Sequence, residues 1–252
     1  IMIFATIFSL LYVVLSYYNS DKIALASVNA KPASPEKHRM LFNAVESMSI
    51  ASGLPMPKVY VMESEQINAF ASGRDPQHAV ICVTTGTLEK LNKQQLEGVI
   101  AHEMSHIANF DIRFMTITAV MVGMISIIAQ IYLRSLWFSS GNSNDKKSGI
   151  FIILGIIAAI LAPLVAQLVA LSISRKREFT ADATGVKFTR YPPGLKSALQ
   201  AIKSEHVSSK DAHHYSKAVA PLFISDPFKK KITGLFSTHP QIEDRIARLD
   251  RM

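Results

Sequence analysis

The sequence predicts an α-helical multi-span membrane protein carrying a mainly α domain with a small β-sheet, and three observations predict it. Of the 252 residues 49% are hydrophobic and the mean hydropathy is +0.22, too apolar for an ordinary water-soluble chain. The apolarity is gathered into uncharged runs at residues 1–18, 114–133 and 149–174, each able to cross about 30 Å of hydrocarbon, the first with interfacial help. The polar stretches between them carry helical spacing interrupted by short β-branched runs.

The spans come first. A buried core helix is the competing reading, and the lack of any polar residue between Phe151 and Gln167 argues against it for the third run. A secretory signal is the competing reading of residues 1–18, but that run has no basic start. The chain opens on Ile1 instead of Met, so a preceding segment, including another span, is expected. The net charge of +8 fits membrane topology better than a nucleic-acid surface, for which no interleaved aromatic and basic pattern exists. Lys22, Lys31, Arg113, Arg175, Lys176, Arg177, Lys187 and Arg190 flank span ends on one side, against Arg134, Lys146 and Lys147 on the other. The positive-inside rule therefore puts residues 19–113 and 175–252 in the cytoplasm as two parts of one domain, with 134–148 as a short extracytoplasmic loop.

Within the first part, Pro32 to Pro35 reads as a linker. Residues 36–51 have helical spacing, with Met40, Leu41, Ala44, Val45 and Met48 on one stripe, and Gly53 to Pro57 stops them. Residues 58–62 and 79–84 read as strands, with Asn68 to Ala71 as a short extended piece before a turn at 73–76. Cys82, the only cysteine, lies in the second strand and is structural, so no internal disulfide is possible. Asn92, with Gln95 three residues on, caps a helix bearing Leu96, Val99, Ile100, Ile107 and Phe110 that runs almost directly into the span at 114. Beyond the third span a helix is expected to end near Gly185, and FSTHPQIEDRIARL reads as a turn into a terminal helix.

The chemistry is concentrated in HEMSH. Two histidines four apart on a helix lie about 40° apart in projection and roughly 6 Å along the axis, so His102 and His106 can converge on one ion, with Glu103 beside them. Such a zincin pattern, HExxH…E, supplies a zinc-activated water and a glutamate to take its proton during attack on a peptide carbonyl. Glu103 shares a stripe with Leu96, Ile100, Ile107 and Phe110, where an unpaired carboxylate is costly unless a metal or partner compensates. Catalytic zinc needs a third protein ligand, and Glu178, a few residues past the third span, is the best candidate, with Asp182 one turn later to orient a ligating imidazole. The bland alternative pairs Glu178 with Arg175 or Lys176. His239, in Thr238-His239-Pro240, is a candidate donor to a developing oxyanion. His38, His78, His206, His213 and His214 are assigned nothing.

HEMSH, then REFTAD after a long apolar pair, then FSTHPQIEDRI, resembles the HtpX membrane metalloprotease family, and NAFASGRDPQHAVICVTTGTL extends the likeness to nearly the whole chain from Asn19. Thr87 stands where leucine is commoner, a departure expected to be harmless. The resemblance implies one Zn2+ per chain on His102, His106 and Glu178, with Asp182 behind them, Glu103 as general base and His239 as a transition-state residue. It implies that Asn68, Ala69, Phe70 and Ala71 form an edge strand along which an extended substrate adds, and it hints that Arg245 stabilises the same region. It further implies a bacterial cell-membrane enzyme, its site facing the cytoplasm, that cleaves polypeptides, damaged or misassembled membrane proteins foremost, as part of a stress response. Its partners are then those substrates and the lipid bilayer, with no nucleic acid; the oligomeric state stays open.

Three rivals are weighed. A protease with zinc at midmembrane depth is opposed by the polar flanks LNKQQLEG and NFDIR. A prenyl-protein endopeptidase shares the motif grammar but resembles a longer chain with more spans. The non-enzymatic rival is a membrane scaffold that has kept zinc for stability alone. If the motif helix continues unbroken to Phe114, the metal lies about 12 Å from the membrane surface.

Overall fold

The computed structural model describes residues 14–116, 175–205, 223–224 and 240–252, together with 11 and 155. Most of the three apolar runs, the loop 134–148 and His239 lie outside them. Among the described residues no helix is long and apolar enough to cross a membrane.

After α1 (Ser20–Ser27), a four-stranded mixed sheet forms from β1 (Lys31–Pro32), β2 (Lys58–Met62), β3 (Ala69–Gly73) and β4 (Ala79–Thr84), in the order β1-β2-β4-β3. β2 and β4, expected as strands over the same residues, run parallel, while β3 pairs antiparallel with β4 from Ala69 opposite Val83 to Gly73 opposite Ala79. Gly73 has φ +137, and a Cβ there would overlap the His78 carbonyl, so only glycine makes this turn. Every β4 residue is buried because both sheet faces are covered. Ile81 and Val83 belong to the main core, and Val80 and Cys82 to a second cluster with Phe70, Leu25 and Phe223, as strand alternation requires.

Helices α2 (Arg39–Ser52), α3 (Thr85–Lys90), α4 (Lys93–Ala108), α5 (Arg175–Thr189), α6 (Pro192–Ser204) and α7 (Ile242–Leu249) supply the rest. α4 is the hub, packing on α5, α6, α2 and β3. Its Leu96, Ile100 and Ile107 are fully buried with Leu41, Val45 and Leu195, each such side chain stabilising the fold by about 1.5–3 kcal/mol. Asn92 and Gln95 form the expected capping box at its start.

Four expectations are corrected. Pro32 to Pro35 is not simply a linker: Lys31 and Pro32 pair with Val61 and Tyr60 at the sheet edge, where proline needs no donor. α2 begins at Arg39 instead of residue 36, because Ser34 N–H donates to His38 Nδ1 and holds residues 35–37 in a turn. Gly185 does not end α5, which runs to Thr189; the glycine brings the helix against α4, where a Cβ would stand 3.1 Å from Ala101 C and His102 N. Finally, α4 stops at Ala108 and does not continue toward residue 114. Phe110 adopts φ 58 and is 48% exposed, off the buried stripe, before residues 111–116 resume as helix. The estimate of metal depth from a continuous helix therefore does not apply.

Candidate metal centre

The α4–α5 crossing builds the site, and its closeness follows from two small residues, Gly185 on α5 and Ala101 on α4. One turn of α4 aims His102 and His106 toward α5, and their Nε2 atoms lie 3.2 Å apart. From the first turn of α5, Glu178 places one carboxylate oxygen 3.6 Å from His102 Nε2 and the other 3.6 Å from His106 Nε2. All three are buried, and their ligand atoms lie within 4.8 Å of one another. Glu178 therefore faces both histidines in the interior and is not a surface residue.

Each imidazole is held from behind. His102 Nδ1 lies 2.9 Å from Asp182 Oδ1, and His106 Nδ1 lies 3.0 Å from Asp111 Oδ2. A carboxylate accepting Nδ1–H leaves the Nε2 lone pair to face the other donors. Arg245, 1% exposed on α7, donates through Nε (2.9 Å) and Nη2 (2.6 Å) to Asp182, and its Nη1 lies 3.4 Å from Glu178. Arg177 donates to Asp111 at 3.0 Å.

Burial and the Arg245 charge push the His102 imidazolium down, but the Asp182 and Glu178 carboxylates outweigh them and hold it at about 9. Burial alone would raise Asp182, yet Arg245 and His102 pull its carboxyl down to about 2. Glu103 lies fully buried beside the histidines. Desolvation dominates and raises its carboxyl above the usual range, against the lowering influence of His102, His106 and an accepted Ala71 backbone N–H.

The donor set fits zinc. Three donors at about 2.0–2.1 Å from one tetrahedral ion lie roughly 3.3 Å apart, close to the separations found. Among the described residues, four buried carboxylates (Glu103, Asp111, Glu178, Asp182) face two guanidiniums (Arg177, Arg245), so in the state a bound cation requires, with the carboxylates ionised and both imidazoles neutral, these groups sum to two negative charges, which a divalent cation balances.

The chain's family follows from comparison with known proteins. The model of "Peptidase family M48" matches residues 35–252. This chain belongs to peptidase family M48. The M48 chain is a metalloprotease, and its family acts on polypeptides. It is 49% identical to "Protease HtpX homolog" of Caldanaerobacter subterraneus subsp. tengcongensis, over 98% of this chain and 83% of that protein. It is 46% identical to the protein so named in Dictyoglomus thermophilum (94% and 77%), and 40% identical to that in Streptococcus equi subsp. equi (99% and 85%). Among solved structures it resembles S. mikatae Ste24p with a TM-score of 0.57 at 18% identity, over 96% of this chain and 56% of that one, a likeness of fold.

Residues Asn68 to Ala71 of the M48 chain are buried at the outer side of the sheet. Ala69 C=O accepts Ile224 N–H at 3.0 Å, Phe70 bridges to Phe223, and Gly73 C=O accepts the Thr116 hydroxyl at 2.9 Å. Thr87 is more than harmless: its buried hydroxyl lies 2.8 Å from both the N and the O of Asn68, anchoring the start of β3 as leucine would not. His239 lies outside the described residues.

Sequence reasoning missed Asp111 and Arg177, and understated Arg245. On a continuous helix Asp111 would point about 140° away from His106. The positive-φ turn at Phe110 carries it back to the imidazole, and no spacing rule shows that.

Proposed function

We propose that this M48 protease is a zinc-dependent endopeptidase of a bacterial cell membrane, hydrolysing damaged or misassembled membrane proteins. The observation that carries the reading is the buried convergence of His102, His106 and Glu178 with Glu103 alongside. His102, His106 and Glu178 would hold the zinc. When bound, the ion polarises a carbonyl and lowers the pKa of water toward about 7.

The chain's own residues do the rest. Glu103, next to the ligands and touching β3 through the Ala71 N–H, takes a proton from the attacking water and returns it to the leaving amine as the C–N bond breaks. Its raised affinity for protons suits both halves of that transfer. Asp182 holds His102 and is itself held by Arg245. His239 donates to the developing oxyanion; in support, Pro240 beside it is buried and α7 is tied to the site by Arg245. The substrate adds as an extended strand along Asn68 to Ala71, in place of the bridge to Phe223.

Residues 1–18, 114–133 and 149–174 are the spans in this reading, with 19–113 and 175–252 forming the cytoplasmic protease domain and 134–148 a short extracytoplasmic loop. In support, the chain just before the second run and just after the third stand side by side. Asp111 pairs with Arg177, and the Arg177 guanidinium lies 4.3 Å from the centre of the Phe114 ring, as an antiparallel hairpin of helices requires. Zinc analysis of the purified protein tests the ligand set: about one zinc per chain is expected, and Glu178→Ala should lose it under mild chelation. A Glu178→Ala protein that holds zinc as tightly as the parent would remove Glu178 from the site.

A further inference from the structure

We propose that Asp111 is a positioning residue for the metal centre, and that Arg177 makes it one by fixing the ends of the two chain segments that lead away from the site. The inference rests on the metal reading above.

The geometry is a chain of three groups. His106 Nδ1 meets Asp111 Oδ2 at 3.0 Å, and Asp111 Oδ1 meets Arg177 Nη1 at 3.0 Å. Asp111 is 5% exposed and His106 4% exposed, so this carboxylate is withdrawn from water and committed to its two partners. One oxygen serves the imidazole and the other the guanidinium, which fixes the carboxylate plane and, through it, the rotation of the His106 ring. With Nδ1–H donated to Asp111, Nε2 faces Glu178 and His102 as an acceptor.

The two anchors belong to different segments. Asp111 opens the helical residues 111–116 after the Phe110 turn, and Arg177 lies in the first turn of α5, next to Glu178. The ion pair thus ties the exit from the motif helix to the entry of the third-ligand helix, and the same bond that joins them orients one ligand. A shift of either segment moves the Asp111 carboxylate and is felt at His106. Asp182 and Arg245 do the equivalent for His102 from α5 and α7, so each histidine has its own carboxylate and its own arginine.

The test is zinc affinity of the full chain in detergent, by competition with a chromogenic chelator, with the visible spectrum of the Co2+-loaded protein as a second readout. Asp111→Asn should weaken zinc binding about 10- to 100-fold and alter the Co2+ bands while the metal-free protein melts within a few degrees of the parent. Asp111→Glu should recover part of the affinity. Arg177→Gln should weaken binding less, and the double variant Asp111→Asn/Arg177→Gln should bind as Asp111→Asn does, because Arg177 acts through Asp111. An Asp111→Asn protein with parental zinc affinity and an unchanged Co2+ spectrum overturns the proposal, as does a double variant in which the two losses simply add. A parent that binds no zinc overturns the metal reading itself, and this inference with it.

Discussion

Arg245 and Asp182 form a two-pronged ion pair, Nε at 2.9 Å and Nη2 at 2.6 Å, inside a protein interior where both side chains are almost fully excluded from water. Neither charge tolerates the loss of the other. Arg245→Met should leave only His102 to offset the buried Asp182 and Glu178 carboxylates and destabilise the metal-free protein by about 3–5 kcal/mol. Arg245→Lys should recover little, since an ammonium cannot reproduce the planar fork. Thermal melting of the three proteins measures this.

The same pair gives a pH signature. Asp182 has a folded-state value of about 2 against an ordinary 3.8, so its contribution to stability is complete above pH 3.8 and is lost as pH falls through that value toward 2. The gap in melting temperature between the parent and Asp182→Asn should grow as pH falls from 9 toward 6, where His102 gains the proton that Asp182 favours, and should narrow below pH 4 as Asp182 itself is protonated. A gap that widens as pH falls from 4 toward 2 would contradict the assignment.

The packing that sets the site can be tested away from it. A Cβ at Gly98 on α4 would overlap the Leu195 backbone on α6, which cannot yield as a side chain can. Gly98→Ala should therefore destabilise by about 1–3 kcal/mol, against the gain of up to about 1 kcal/mol that alanine usually brings to a helix interior. Equilibrium denaturation in urea gives the sign.

Much of this was legible beforehand, for physical reasons that differ by residue. β2 and β4 announced themselves because β-branched runs such as AVICVT suit a pleated, buried environment. The α4 capping box is a local signal and needs no tertiary knowledge. His102, His106 and Glu178 were nominated by the demands of metal chemistry, and the fold brings all three together. Asp111 was hidden because its position depends on the φ of Phe110, and the extent of α5 past Gly185 because close helix contact, not termination, accounts for that glycine. The pairing of Lys31 and Pro32 depends on a strand some thirty residues away, which local composition does not reveal.

Metal removal should uncouple folding from ligand binding in a predictable way. A ligand present at about 1,000 times its Kd stabilises the folded state by about 4 kcal/mol, so chelation of the parent should lower its melting temperature. His102→Ala and Glu178→Ala proteins, lacking a complete donor set, should melt at temperatures that respond much less to chelator.

The most direct test of the whole account is Glu103→Gln, assayed for bound zinc and for cleavage of an unfolded polypeptide in the same preparation. The substitution keeps the shape of the side chain and removes its capacity to take a proton. Bound zinc at the parental level with cleavage reduced by at least about a hundredfold is the predicted result. Cleavage at the parental rate by the zinc-loaded variant would show that Glu103 is not the base and would contradict the mechanism.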